Sequence, residues 1–109
     1  MTSTMNSARL EQLQKLHAAD PGDADVCYMI AQEFGKGSEH ASAIEWYDKC
    51  LESDAAYCYA YFFKAMALTE LNRKPEAIGV LNAGVTKANE VGNAKAISEL
   101  TALLEQTAG

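Results

Sequence analysis

Few side chains in this 109-residue sequence could do chemistry, and their spacing decides which chemistry that would be. His40 stands next to Glu39, a pairing in which a carboxylate can orient a general base, but both residues lie where a turn enters a helix. No nucleophile, histidine and acid recur at a recognisable spacing. Gly35-x-Gly37 marks a turn rather than a phosphate loop. Asp20, Asp23 and Asp25 cluster without the ligand series of a calcium loop, so they read as helix-capping and first-turn charges. Cys27, Cys50 and Cys58 match neither a zinc motif nor a disulfide framework, and their apolar context predicts reduced, buried thiols. His17 falls near a helix end, where a cation is favoured. These residues point to a non-enzymatic protein without metal or cofactor, and attention moves to the elements that carry them.

Those elements repeat with a period of about 34 residues. Ala31 recurs as Ala65, Ala43 as Ala77, Ile44 as Ile78, and Phe34 as Leu68. Leu10, Leu13 and Leu16 stand one period before Ile44, Tyr47 and Cys50, which precede Ile78, Leu81 and Gly84 by the same step. A fixed period of that length is the mark of stacked helical pairs, an architecture that usually binds rather than catalyses.

Composition fits that reading. Hydrophobic residues make up 49% of the chain, enough for a packed core. The net charge is −6 and the nine basic residues are scattered, with only Arg73 and Lys74 adjacent, which argues against nucleic acid or an anionic membrane as partner. The polar start, Met1 to Ser7, lacks the apolar core of a secretory signal. The stretch Ala55 to Leu71 is broken by Lys64 and Glu70 and is too short for a membrane span. A cytoplasmic location is expected.

Apolar spacing and punctuation predict an all-α chain of about six helices. The first runs from about Ser7 to Ala18 with Leu10, Leu13 and Leu16 as its stripe, and Asp20-Pro21-Gly22-Asp23 ends it. The second spans about Ala24 to Lys36, the third His40 to Ser53, and the fourth Ala56 to Leu71. Asn72 supplies a left-handed stop, and Pro75 suits the first turn of the fifth helix, which continues to about Glu90. Gly92-Asn93 precedes the sixth, from Ala94 to about Gln106.

With Cys27, Ile30, Ala31, Phe34, Ala43 and Tyr47 in one repeat, and Tyr61, Lys64, Ala65, Leu68, Ala77 and Leu81 in the next, the chain resembles the tetratricopeptide repeat family. The resemblance runs from about Arg9 to Gln106 and implies a right-handed superhelix of antiparallel helix hairpins. It divides the chain into a half-repeat at 7–23, full repeats at 24–57 and 58–91, and a capping helix at 94–106. The family's tryptophan and glycine slots are filled otherwise, and Ala55 and Asn89 hold its proline slots. Lys64 holds an apolar slot, with its stem expected to pack and its ammonium to reach solvent. The last helix reads best with its register slipped, so that Ile97, Leu100, Thr101 and Leu104 turn inward while Lys95, Glu99 and Glu105 face solvent. The fifth helix is then about one turn longer than its counterpart.

The family's ligands lie on a concave groove lined by the first helix of each pair. Carried over slot by slot, the groove here comprises Tyr28, Met29, Gln32, Tyr59, Phe62, Phe63, Met66 and Lys95, followed by Ser98, Glu99 and Ala102. Tyr59, Phe62, Phe63 and Met66 form a second apolar face on the fourth helix that the repeat pattern does not need. That face is either covered by a terminal helix or open to a peptide, a partner protein or a second copy of the chain. A clamp for a peptide's terminal carboxylate is not expected, because its slots hold Tyr28, Gln32, Phe63, Lys95 and Glu99, and Glu99 would repel the carboxylate. Trp46, beside the packing Tyr47, is expected on the outer face of the third helix, against a neighbouring repeat.

Overall fold

The computed structural model describes residues 7–109; the polar segment read as lacking a secretory signal lies, for residues 1–6, outside the described residues. Six helices and no strands occur among the described residues: α1 (Ser7–Ala19), α2 (Ala24–Lys36), α3 (His40–Ser53), α4 (Cys58–Glu70), α5 (Lys74–Val91) and α6 (Ala94–Ala108). Each packs on its neighbours in chain order, and α6 also reaches α4. None is long and apolar enough to cross a membrane.

The period appears again in the backbone. Glu39 N–H donates to Phe34 O at 2.9 Å, and one period later Arg73 N–H donates to Leu68 O at 2.9 Å. Asp23 N–H to Asp20 O and Tyr57 N–H to Asp54 O, each at 3.1 Å, form the second recurring turn. Asn72 takes the left-handed conformation as expected (φ 59°), and so does its counterpart Ser38 (φ 61°). Asp23 caps α2 through its carboxylate, which accepts from Asp25 and Val26 N–H. Asp54 accepts Ala56 N–H at 3.0 Å in the same manner, which holds Ala56 and Tyr57 in the turn and delays α4 to Cys58.

Small residues set how closely the helices meet. Ala31 and Ala43 are buried in one cluster with Cys27, Tyr47 and Cys50, and Ala65 and Ala77 in another with Leu68, Leu81 and Leu100. Gly84 is the tightest point: a Cβ there would lie 2.8 Å from Tyr61 Cβ and 3.2 Å from Leu100 Cδ2. The three cysteines are free and buried, as expected.

The structure corrects several expectations. Leu13 is buried, but Leu16 is 54% exposed, because α1 has a helix on one side only among the described residues. The Lys64 stem packs, but its Nζ meets Asp48 Oδ1 at 2.6 Å instead of standing free in solvent. α5 is indeed a turn longer than α3, with 18 residues against 14. The longer α5 re-aims α6, so Ala96 and Leu100 are the fully buried pair and Glu99 points back to α4, where its carboxylate accepts from Tyr59 Oη. Ile97 and Leu104 are half-buried against the same core. Trp46 packs on the neighbouring half-repeat, edge-on to His17 with ring centroids 4.8 Å apart.

One buried charge had no counterpart in the sequence reading. Glu33 is 4% exposed and accepts from Arg9 of α1 at 3.0 Å and from Lys36 at 3.1 Å. Burial pushes its carboxyl up, but the two cationic donors outweigh burial and hold it below the usual carboxylate range. The lowered value means that the pairing stabilises the fold at pH above the ordinary glutamate pKa of about 4.3 and is lost as pH falls through the lowered value. Wild type should therefore lose stability in that acidic window by urea titration, and Glu33→Gln should flatten this part of the profile; an unchanged profile would refute the role. For packing, Gly84→Ala should destabilise by roughly 1–3 kcal/mol of overpacking, offset by at most about 1 kcal/mol of helix propensity. Gly79→Ala, with nothing within 4 Å of the added atom, should stabilise by about 0.5–1 kcal/mol. Thermal melts of the two variants check both signs.

Candidate binding groove

The first helices of the pairs, α2, α4 and α6, supply the residues singled out for binding. An aromatic band crosses from α2 to α4. Tyr28 lies 4.9 Å from Tyr57, 5.9 Å from Tyr47 and 6.2 Å from Phe63, centroid to centroid. Phe63 continues it to Phe62 at 5.0 Å, and Phe62 to Tyr59 at 6.4 Å. Offset and edge-on contacts of this kind hold rings in fixed orientations. The hydroxyls are tied at the edges of the band: Tyr57 Oη donates to Asp25 at 2.8 Å, Gln32 Nε2 donates to Tyr47 Oη at 2.6 Å, and Tyr59 Oη donates to Glu99. Burial raises the Tyr47 and Tyr57 phenols, helped in Tyr57 by its bond to Asp25. The bond to Glu99 raises Tyr59. Burial also pushes the Cys50 thiol up to about 12. At neutral pH these groups are protonated donors or inert thiols, suited to packing and hydrogen bonding rather than nucleophilic attack.

Two clefts open beside the band. One, of about 360 Å³, lies between α2 and α4 and is lined by Gln32, Lys36, His40, Tyr47, Phe63, Met66 and Glu70 among others. The second, of about 370 Å³, lies between α4 and α6 and is lined by Met66, Thr69, Glu70, Lys74, Leu103, Gln106 and Thr107. Met66, 44% exposed, and Glu70 border both clefts.

Of the eight groove residues read from the sequence, Gln32, Phe63 and Met66 line the first cleft, while Tyr28, Tyr59 and Phe62 form the adjoining band. Phe62 is half-buried against the cluster that contains Leu100, so α6 covers part of the face. Met29 is turned away from the band, packed on the Leu13 cluster with its sulfur 4.0 Å from Arg9. Lys95 is exposed on the first turn of α6 and borders neither cleft. Ser98 and Ala102 are also exposed. Lys36, His40 and Glu70 line the first cleft without having been foreseen; Lys36 and Glu70 occupy the same slot one period apart, which is the signal that would have found them.

The family model for the tetratricopeptide repeat matches residues 24–57. None of the curated proteins compared with the chain matches it. A tetratricopeptide repeat domain protein from Salinibacter ruber is 28% identical, with a TM-score of 0.74 over 81% of this chain and 89% of its own. The TPR2B domain of yeast Sti1, solved in a pHsp70 complex, is 22% identical with a TM-score of 0.85 over 97% of this chain and 90% of that one. The Yersinia enterocolitica type III secretion translocator chaperone SycD is 18% identical with a TM-score of 0.80 over 94% of this chain and 74% of its own. The family model thus matches one repeat of the chain, residues 24–57, and the fold over nearly the whole chain is the one seen in solved tetratricopeptide repeat domains.

Proposed function

We propose that the chain is a non-enzymatic protein-interaction module that seats a peptide or partner segment across α4, between α2 and α6. The observation that carries this reading is the shared border of the two clefts. Met66 joins them into one furrow, floored on one side by Phe63 and Tyr47 and on the other by Leu103. Aromatic and methionine side chains are the types enriched where proteins bind each other. In this reading half-repeat 7–23, repeats 24–57 and 58–91, and helix 94–106 form one scaffold, with Tyr28, Gln32, Tyr59, Phe62, Phe63 and Met66 as the working face. The Sti1 domain in its pHsp70 complex supports the general mode. A terminal-carboxylate clamp is disfavoured here, because Glu99 lies on the α6 side of the groove next to Tyr59. Three buried free thiols suit a reducing compartment such as the cytoplasm.

A random peptide library displayed on phage and selected on the immobilised chain tests the reading. Selected peptides should lose at least about tenfold in affinity, about 1.4 kcal/mol, on Met66→Glu, with helicity unchanged because the side chain is exposed. Phe63→Ala should weaken the same peptides and cost some stability, since Phe63 packs on Tyr28 and Phe62. Peptides indifferent to both changes would overturn the assignment. A groove mutation that converts a dimer to monomer would instead favour self-association through the same face.

A further inference from the structure

Glu33 ties α1 to the first cleft. Its side chain is buried, and a single oxygen, Oε2, accepts both from Arg9 Nε at 3.0 Å and from Lys36 Nζ at 3.1 Å. Arg9 belongs to α1, and none of the residues lining the cleft does. Lys36 ends α2 and lines the cleft, with 64% of its side chain exposed. One negative charge thus faces two positive ones, and the cluster keeps a surplus positive charge. Lys36 is the member that reaches the cleft.

The two donors are not independent. A buried carboxylate stripped of its cations is strongly destabilising. With Arg9 in place, Lys36 can turn from Glu33 to another anion while the carboxylate stays paired. Without Arg9, Lys36 is the one cation of this cluster left to Glu33, and it is held there. The far wall of the cleft has the opposite sign. One period after Lys36 comes Glu70, on α4, while His40 of α3 lines the same cleft. A segment bound here therefore meets a cation on the α2 wall and an acid on the α4 wall.

We propose that Arg9 is a positioning residue for the groove: by holding Glu33 it releases Lys36 to pair with an acidic side chain of the bound segment. The assignment rests on the groove as a peptide seat and adds the partner's chemistry. That partner carries an Asp or Glu at the α2 wall, beside the apolar side chains that meet Phe63 and Met66. The coupling is reciprocal. An acid taken up by Lys36 leaves Glu33 to Arg9 and tightens the seat of α1.

Stability and binding test it separately. In urea titrations Arg9→Gln and Lys36→Gln should each cost little, because the other cation remains. The double variant should cost more than the two single changes summed, and additive costs would overturn the shared-carboxylate link. Peptides selected from the displayed library on wild type should carry an excess of Asp and Glu. They should lose at least about fivefold in affinity on Arg9→Gln, with helicity unchanged, although Arg9 lines neither cleft. Lys15→Gln, the same charge change on exposed α1 surface, should leave them unaffected. Adding Glu33→Gln to the Arg9→Gln chain should restore affinity, because Lys36 is then held by no acid. A merely structural role for Arg9 predicts no rescue, and no rescue would overturn the proposal. Selected peptides that lack acids and ignore Lys36→Gln, yet weaken on Met66→Glu, would also overturn it while leaving the groove as a peptide seat.

Discussion

Close approach between paired helices is the constraint on which the rest of this structure depends. Ala31 with Ala43, and Ala65 with Ala77, let the helices of each hairpin come near enough for their larger neighbours to interlock. Gly84 carries the same logic to its limit, because α5 must accept Tyr61 from its own hairpin and Leu100 from the next helix at one point. Wider spacing would forfeit the many weak contacts that each leucine and aromatic ring makes, and those contacts fall off steeply with distance.

Turns then convert close pairs into an array. The paired hydrogen bonds at Phe34–Glu39 and Leu68–Arg73, and at Asp20–Asp23 and Asp54–Tyr57, repeat the same change of direction. The turn after α5 departs from that of its counterpart α3: α5 runs on to Val91 and ends as α2 and α4 do, with Asn93 N–H bonded to Ala88 O and Gly92 in the left-handed conformation. That extra turn rotates α6, brings Glu99 to Tyr59 and opens the second cleft between α4 and α6. The second cleft is thus a product of the place where the repeat breaks step.

Charge is handled locally. Glu33 is buried on the α1 side and satisfied by Arg9 and Lys36, while Lys64 is satisfied by Asp48. Buried carboxylates need such partners, because an unpaired one costs several kcal/mol. The tyrosines of the aromatic band follow the same rule, with rings packed and hydroxyls bonded at the edges. This satisfied aromatic band lies beside the exposed Met66.

The helices, their order, the small-residue slots and the longer α5 were legible in the sequence, because helical periodicity and capping act between near neighbours along the chain. The left-handed Asn72 and the cap at Asp23 were legible for the same reason. The geometry of the candidate groove was legible only in part. Phe63, Met66 and Gln32 were found from their slots, but Met29 turned toward α1, α6 covered part of Phe62, and Lys36, His40 and Glu70 entered the cleft unforeseen. Leu16 and Glu33 show the divide most clearly. An apolar residue in the stripe is exposed because, among the described residues, α1 meets a helix on one side only, and an acid is buried because Arg9, 24 residues away, reaches it. The sequence determined which faces each helix offers, since that depends on spacing along the chain. Only the tertiary structure decided which faces are met, since that depends on helices that arrive from elsewhere.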